Sequence, residues 1–289
     1  MTLIAGQLFF QGLVLIADSR ASISKNGIIY PWRDNTRKIF LLSNNLAIGF
    51  AGDIEFAGSI IGFLGSQIEK RPRLGNLHVF YNKGPKLIRH AYKFLSEKTR
   101  EKRRVGFMIA SLDPNRPEPI KNEKGQISGH IGIYDKKLFA ISFPDDSFEE
   151  AGFNKPSLVL GSGELAVKEK EDELKKLRFG LVVDSLYFQA SLMDFILRKK
   201  IKELGIDTVG GLSQILMIEP KGSSFLEYKG KSDLDNSTDI LDVELVIKGD
   251  TLVQRNLITG KEIPLLIPPD VIKIKDPSTD LFADLGNQE

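Results

Sequence analysis

Apolar residues are distributed along this chain in short runs first and in helical spacing later. Residues 3–10 and 12–17 are almost wholly apolar, with a turn at Gln11-Gly12 between them, and the second run stops abruptly at Asp18 and Arg20. Short apolar runs bounded by turn residues predict antiparallel strands, so Asp18 is returned to the beginning of the first strand. Lys38 opens another apolar stretch, an Asn44-Asn45 turn follows, and residues 46–52 run back to Gly52 at the same end. The pattern then changes period. Ile54, Ala57, Ile60, Ile61, Leu64 and Ile68 recur at the three-and-four spacing of a buried helical stripe, with Asp53 placed to cap it. A second helix is expected with Pro85 in its first turn and Leu87, Ile88, Ala91 and Leu95 on one face.

Strands are predicted over residues 105–112, 131–134, 138–143 and 157–160. A later helical block would carry Leu177, Leu181, Phe188, Leu192, Phe195 and Ile196 on one face. Strands, two helices, strands, helices and a strand, in segregated runs, argue against a doubly wound parallel sheet. They suit an α+β, four-layer αββα sandwich of two antiparallel sheets between helical layers. Residues 1–234 form that unit on this reading and 235–289 a C-terminal extension. The extension holds an expected hairpin around Gly249-Asp250, then Pro264, Pro268, Pro269 and a mostly acidic tail. Contact with a neighbouring subunit and a functionless satellite sheet are equally open for it.

Composition narrows the chemistry. With 289 residues and 42% hydrophobic content the chain can bury a large core. Forty basic residues nearly balance 38 acidic ones, which gives no electrostatic case for nucleic acid. Without cysteine there is no disulfide, no thiol nucleophile and no Cys-ligated zinc. His78, His90 and His130 are scattered, so neither a histidine-rich metal site nor a Ser-His-Asp triad is expected, and no cofactor or metal is implied. No run approaches the roughly 18 apolar residues of a membrane span. The first twenty residues lack the basic start of a signal peptide, so a cytoplasmic protein is expected. Residues 98–104 hold five basic residues among seven, read as a solvated helix end that complements the C-terminal dipole. Residues 168–176 read as an exposed helix with local ion pairs.

Thr2 stands directly behind the initiator methionine. Removal of Met1 would give a hydroxyl nucleophile and a free amine that can serve as its base. Together with Asp18, Arg20, the Lys38-Ile39 hairpin start, the Gly49-Phe50-Ala51-Gly52 ending, Gly161-Ser162-Gly163 and Gly210-Gly211, the ordered set resembles the catalytic β-type subunits of the proteasome. It also resembles their bacterial relatives, including the peptidase of the heat-shock ATP-dependent protease. The resemblance spans residues 2–230 and is strongest in the first fifty. It departs at Asp53, where a small residue is usual. Asp207 lies closer to the paired glycines than the family's supporting aspartate, and with Met1 alone ahead of Thr2 activation is expected to depend on methionine removal.

The resemblance implies a threonine-type endopeptidase with Thr2, Asp18, Lys38, Gly52, Ser162 and Asp207 as catalytic residues and Arg20 in support. Ser22, Phe40 and Phe50 would bind substrate, though for the two phenylalanines plain core is an even alternative. It further implies a peptide or unfolded-protein substrate, a homo-oligomeric ring, and an ATP-dependent unfoldase as a conceivable partner. A non-catalytic ring subunit and an amidase acting on a small molecule stand as alternatives on the same fold.

Overall fold

The computed structural model describes residues 3–25, 28–33, 35–121, 127–179, 185–206, 208–211, 213–226, 243–248, 251–256, 259–265, 272–277 and 282. In chain order the elements begin with β1 (Leu3–Leu8), β2 (Leu13–Asp18), β3 (Ala21–Lys25), β4 (Ile28–Arg33), β5 (Ile39–Ser43) and β6 (Leu46–Gly52). Two helices follow, α1 (Ile54–Lys70) and α2 (Leu77–Thr99), then β7 (Val105–Lys121), β8 (Ile127–Phe143), β9 (Ser147–Glu150) and β10 (Ser157–Gly161). The second helical group is α3 (Glu164–Glu169), α4 (Glu171–Phe179) and α5 (Leu186–Glu203), and the chain continues through β11 (Ser213–Glu219), β12 (Gly222–Phe225), β13 (Val243–Lys248), β14 (Thr251–Asn256) and β15 (Glu262–Pro264).

Two five-stranded antiparallel sheets face each other, ordered β10-β1-β2-β11-β12 and β5-β6-β7-β8-β9. Strand alternation explains the layering. Along β2, Leu13, Leu15 and Ala17 enter the core between the sheets with Met108, Ala110 and Leu138, whereas Val14 and Ile16 enter a core shared with α3, α4 and α5. On the other side Phe107, Ile109 and Phe139 pack on α1 and α2. Burial on both faces is why these strands read as unbroken apolar runs. The architecture is the sandwich expected from sequence.

Several local expectations need correction. Pro85 lies in the interior of α2, since the helix starts at Leu77, where Asn76 accepts from His78 N–H at 3.0 Å. Pro85 is buried there, and a Cβ at Gly84 would meet Phe80 Cε1 at 2.5 Å, so glycine before the proline gives that ring its space. Residues 131–134 and 138–143 are parts of one strand, β8, and β7 runs nine residues beyond Leu112 to Lys121; the two pair as one long ladder with register shifts. The face Phe188, Leu192, Phe195, Ile196 is not the buried one. Ser185 restarts the helix by accepting from Phe188 N–H, and this phase turns Leu186, Ala190, Met193, Leu197 and Ile201 inward, leaving Phe188 53% and Phe195 62% exposed. The Leu177 side chain and Leu181 lie outside the described residues.

Residues 98–104 do more than terminate a helix. Arg100 ends α2 in the left-handed region at φ 60°, and Arg103 bridges Glu55, Glu101 and Asp53, tying the loop to the start of α1. The expected surface pairs in 168–176 are present as Lys168–Glu164, Lys170–Glu173 and Lys175–Glu171. Beyond the sandwich, β13, β14 and β15 form a small antiparallel sheet; the turn at Gly249-Asp250 lies outside the described residues. Residues 272–276 then run along α1: Ile272 N–H donates to Ser59, Asp276 accepts from Gln67 and Lys70, and Ile274 and Phe282 are buried against the α1–α2 core. Among the described residues no helix is long and apolar enough to cross a membrane.

Candidate active site

The β1–β2 hairpin pairs Ile4 with Ala17, which sets Asp18 beside Leu3. The Asp18 carboxylate is 2% exposed, and its hydrogen-bonding capacity is taken up by four separate donors. Oδ1 accepts from Leu3 N–H at 2.9 Å and from Lys38 Nζ at 2.7 Å; Oδ2 accepts from the N–H groups of Arg20 and Gly210, both at 3.2 Å. Lys38, 1% exposed, also donates to Arg20 O at 2.5 Å. A buried ammonium between a carboxylate and a carbonyl is satisfied as an ion, and here it shares one carboxylate oxygen with the first described backbone N–H of the chain.

Arg20 contributes through its backbone, with its N–H also donating to Gly210 O at 3.0 Å, and its guanidinium covers Gly210 so closely that a Cβ there would meet Arg20 Cζ at 2.4 Å. On the neighbouring strand Leu3 pairs with Gly161, so Ser162 follows at the same end, and its hydroxyl accepts from Thr208 Oγ1 at 3.1 Å. Gly52 ends β6 at φ +101°. Phe50 N–H donates to Lys38 O at 3.2 Å, and strand alternation sends the Gly52 N–H to that same side, past the end of β5. Asp53, the departure noted in the sequence, is the N-cap of α1 and accepts from Phe56 N–H at 2.9 Å.

The structure therefore brings Asp18, Arg20, Lys38, Gly52 and Ser162 to one end of the sandwich. Thr2 and Asp207 lie outside the described residues. Ser22 is half-buried on β3, its hydroxyl oxygen enclosed and without a hydrogen-bond partner among the described residues. Phe40 and Phe50, 7% and 1% exposed, belong to the core against α1 and α2 with ring centroids 6.5 Å apart. Their geometry is that of packed core.

Two further groups stand behind the site. Gln214, fully buried at the start of β11, accepts from Lys38 N–H at 2.9 Å and donates to Thr36 O at 2.8 Å and Asp18 O at 3.4 Å. Its neighbour Ser213, paired in register with Asp18, adjoins a buried ion pair on α5, Asp194 with Arg198 at 2.7 Å. Burial raises the Asp194 carboxyl above the usual range, against the opposing pull of Arg198 and the Ser213 hydroxyl. The sequence held one signal for Gln214: an amide in the otherwise apolar run of 214–218.

No protein-family model and no curated protein matches the chain. Solved structures do match its fold. The Anbu complex from Pseudomonas aeruginosa, described as a helical assembly, is 19% identical with a TM-score of 0.50 over 75% of this chain and 81% of that one. Anbu from Yersinia bercovieri, described as an ancestral beta-subunit, is 17% identical with a TM-score of 0.50 over 78% and 87%. An Anbu mutant from Hyphomicrobium sp. strain MC1 is 13% identical with a TM-score of 0.51 over 82% and 89%. These neighbours correct the resemblance drawn from sequence: the likeness is to Anbu, a group related to the β-type proteasome subunits but distinct from them. At such identities what this chain shares with Anbu is the proteasome-like fold.

Proposed function

We propose that the chain is an N-terminal-nucleophile hydrolase of the threonine type, cutting peptide bonds in extended chains after Met1 is removed. The observation that carries this reading is the buried Asp18–Lys38 pair, joined through one carboxylate oxygen to the N–H of Leu3, the residue that follows Thr2. The α-amine of Thr2 would be the base, because such an amine titrates near ~7.7–8.0 and a neighbouring ammonium lowers that value. It takes the hydroxyl proton as Thr2 Oγ1 attacks the scissile carbonyl. Lys38 steadies the developing alkoxide, and the Gly52 N–H donates to the oxyanion of the tetrahedral intermediate. The protonated amine returns its proton to the leaving amine, and water then cleaves the acyl ester. Ser162, with Thr208 behind it, would hold the amine or its water, and Asp207 would assist.

Residues 1–234 form the hydrolase unit on this reading and 235–289 an extension, of which residues 272–276 run along α1. A homo-oligomer is supported by Leu165, Tyr187, Phe188 and Phe195, large apolar side chains exposed on the α3 and α5 layer, and by the assembly described for the Pseudomonas aeruginosa neighbour. The test is Thr2→Ala. Wild-type protein whose intact mass lacks Met1 is expected to hydrolyse fluorogenic peptides and to take a β-lactone on Thr2, and the folded variant to do neither. Undiminished hydrolysis by the variant, or complete retention of Met1, would overturn the reading, and Met1 retention would favour the non-catalytic subunit.

A further inference from the structure

We propose that Gln214 is the positioning residue that fixes the Lys38 ammonium. Lys38 stands one residue before β5, the edge strand of its sheet, and its carbonyl is already taken by Phe50. Its N–H goes instead to a side chain from the opposite sheet, Gln214 Oε1 at 2.9 Å. The other end of that amide donates to Thr36 O, two residues earlier, and to Asp18 O, the backbone of the ion-pair partner. One fully buried amide thus sets the spacing between the segment that carries the cation and the strand that carries the anion. An apolar side chain of the same length would remove the acceptor that Gln214 gives the Lys38 N–H and the donor it gives the Thr36 carbonyl, at the cost of two buried hydrogen bonds, and the backbone that they hold in place is then free to shift. A shift of about 1 Å in a catalytic group can cost about 10²-fold in rate.

A buried glutamine also stabilises a fold whatever its neighbours do, and the chain supplies its own comparator. Gln7 is equally buried on β1, where it donates to Leu174 O at 2.7 Å and accepts from Ser157 Oγ at 3.0 Å, with no bond to Asp18 or Lys38. The inference rests on the hydrolase reading above, and its test separates the two. Gln214→Met and Gln7→Met would be prepared as full-length chains with Thr2 as the N-terminal residue, and two quantities measured across pH. One is kcat and KM on a fluorogenic peptide. The other is the rate of acylation of the terminal amine by an anhydride, read by mass spectrometry, which needs no turnover.

Gln214→Met is expected to lower kcat by about 10²-fold with KM within about twofold, and to raise the amine's titration midpoint by about one unit as the ammonium moves away. Gln7→Met lowers the melting temperature and moves neither. Equal midpoints in the two variants overturn the proposal even if the wild type hydrolyses peptide. A wild type that does not hydrolyse peptide sinks the hydrolase reading alone, since the labelling midpoints still decide on Gln214. Should Gln214→Met fail to fold, Gln214→Asn, an amide one methylene too short for Lys38, carries the same expectations.

Discussion

Replacing Gly52 by alanine tests both the fold and the proposed oxyanion donor. The φ of +101° costs a residue with a side chain on the order of 1–3 kcal/mol. A Cβ there would lie 2.4 Å from Arg104 O, 2.9 Å from Val105 Cα and 3.0 Å from Arg104 C. All three are backbone atoms, and Arg104 O already accepts from Asp53 N–H at 2.8 Å, so no side chain can swing aside. Forcing the β6–β7 ladder apart adds about 1–3 kcal/mol, as for an overpacked core. The expected loss is therefore about 2–6 kcal/mol in urea denaturation. Relief of the clash tilts the peptide that carries the Gly52 N–H, so on the proposed function the residual folded protein should lose about 10²–10³ in kcat, the cost of one oxyanion donor. Gly65→Ala is the control. That position lies inside α1 with nothing within 4 Å of an added Cβ, and a gain of about 0.5–1 kcal/mol is expected. If Gly52→Ala stays within about 0.5 kcal/mol of wild type, the size of a neutral surface change, the strain argument fails. If it also keeps full activity, so does the oxyanion assignment.

Lys38→Ala should lower the rate by at least ~10²-fold; a variant within about threefold of wild type would leave Lys38 a structural residue. Glu150 offers a pH test away from the site. Burial pushes its carboxyl up, but hydrogen bonds from Lys137 at 2.7 Å and Tyr81 at 2.5 Å outweigh this and hold it below its ordinary 4.5. A depressed folded pKa contributes stability above pH 4.5 that is lost as pH falls through the folded value. Glu150→Gln should then cost about 1 kcal/mol at pH 7, discounted for partial exposure, with the difference shrinking in denaturation curves below pH 4.5. A gap that does not narrow as the pH falls below 4.5 would count against the ion pair. Finally, serine at both Phe188 and Phe195 should reduce the assembled mass in light scattering; a wild type that already runs as a 32.2 kDa monomer would refute the oligomer.

The strands and their ends were legible because a sheet buried on both faces writes itself as an apolar run, and a charge at its end, like Asp18, marks where the run stops even though the charge itself stays buried. The hairpin from Lys38 to Gly52 was legible for the same reason. Phase along the later helices was not. Phe188 and Phe195 fit an apolar stripe, and only the restart at Ser185 decides that the opposite face turns inward. Pro85 misled because tertiary packing overrides a local rule: the proline is buried within α2, eight residues past the start of the helix. Gln214 stayed hidden because its partners, Lys38 N–H and Thr36 O, are backbone groups about 180 residues away, and nothing in a linear pattern marks such a bond.

Asp18 takes its donors from Leu3, Arg20, Lys38 and Gly210. On a growing polypeptide these arrive in sequence, and the last becomes available only when more than two-thirds of the chain has been made. Until then the carboxylate that holds the ammonium lacks part of its cage. A half-made or misfolded copy would therefore be an inert one, and a chain truncated at residue 206 should leave Thr2 no more reactive than a threonine in a short peptide. On the proposed function, closing a buried charge with a distant glycine would tie the appearance of peptide cutting to completion of the fold, so that correct folding itself would serve as the safety catch.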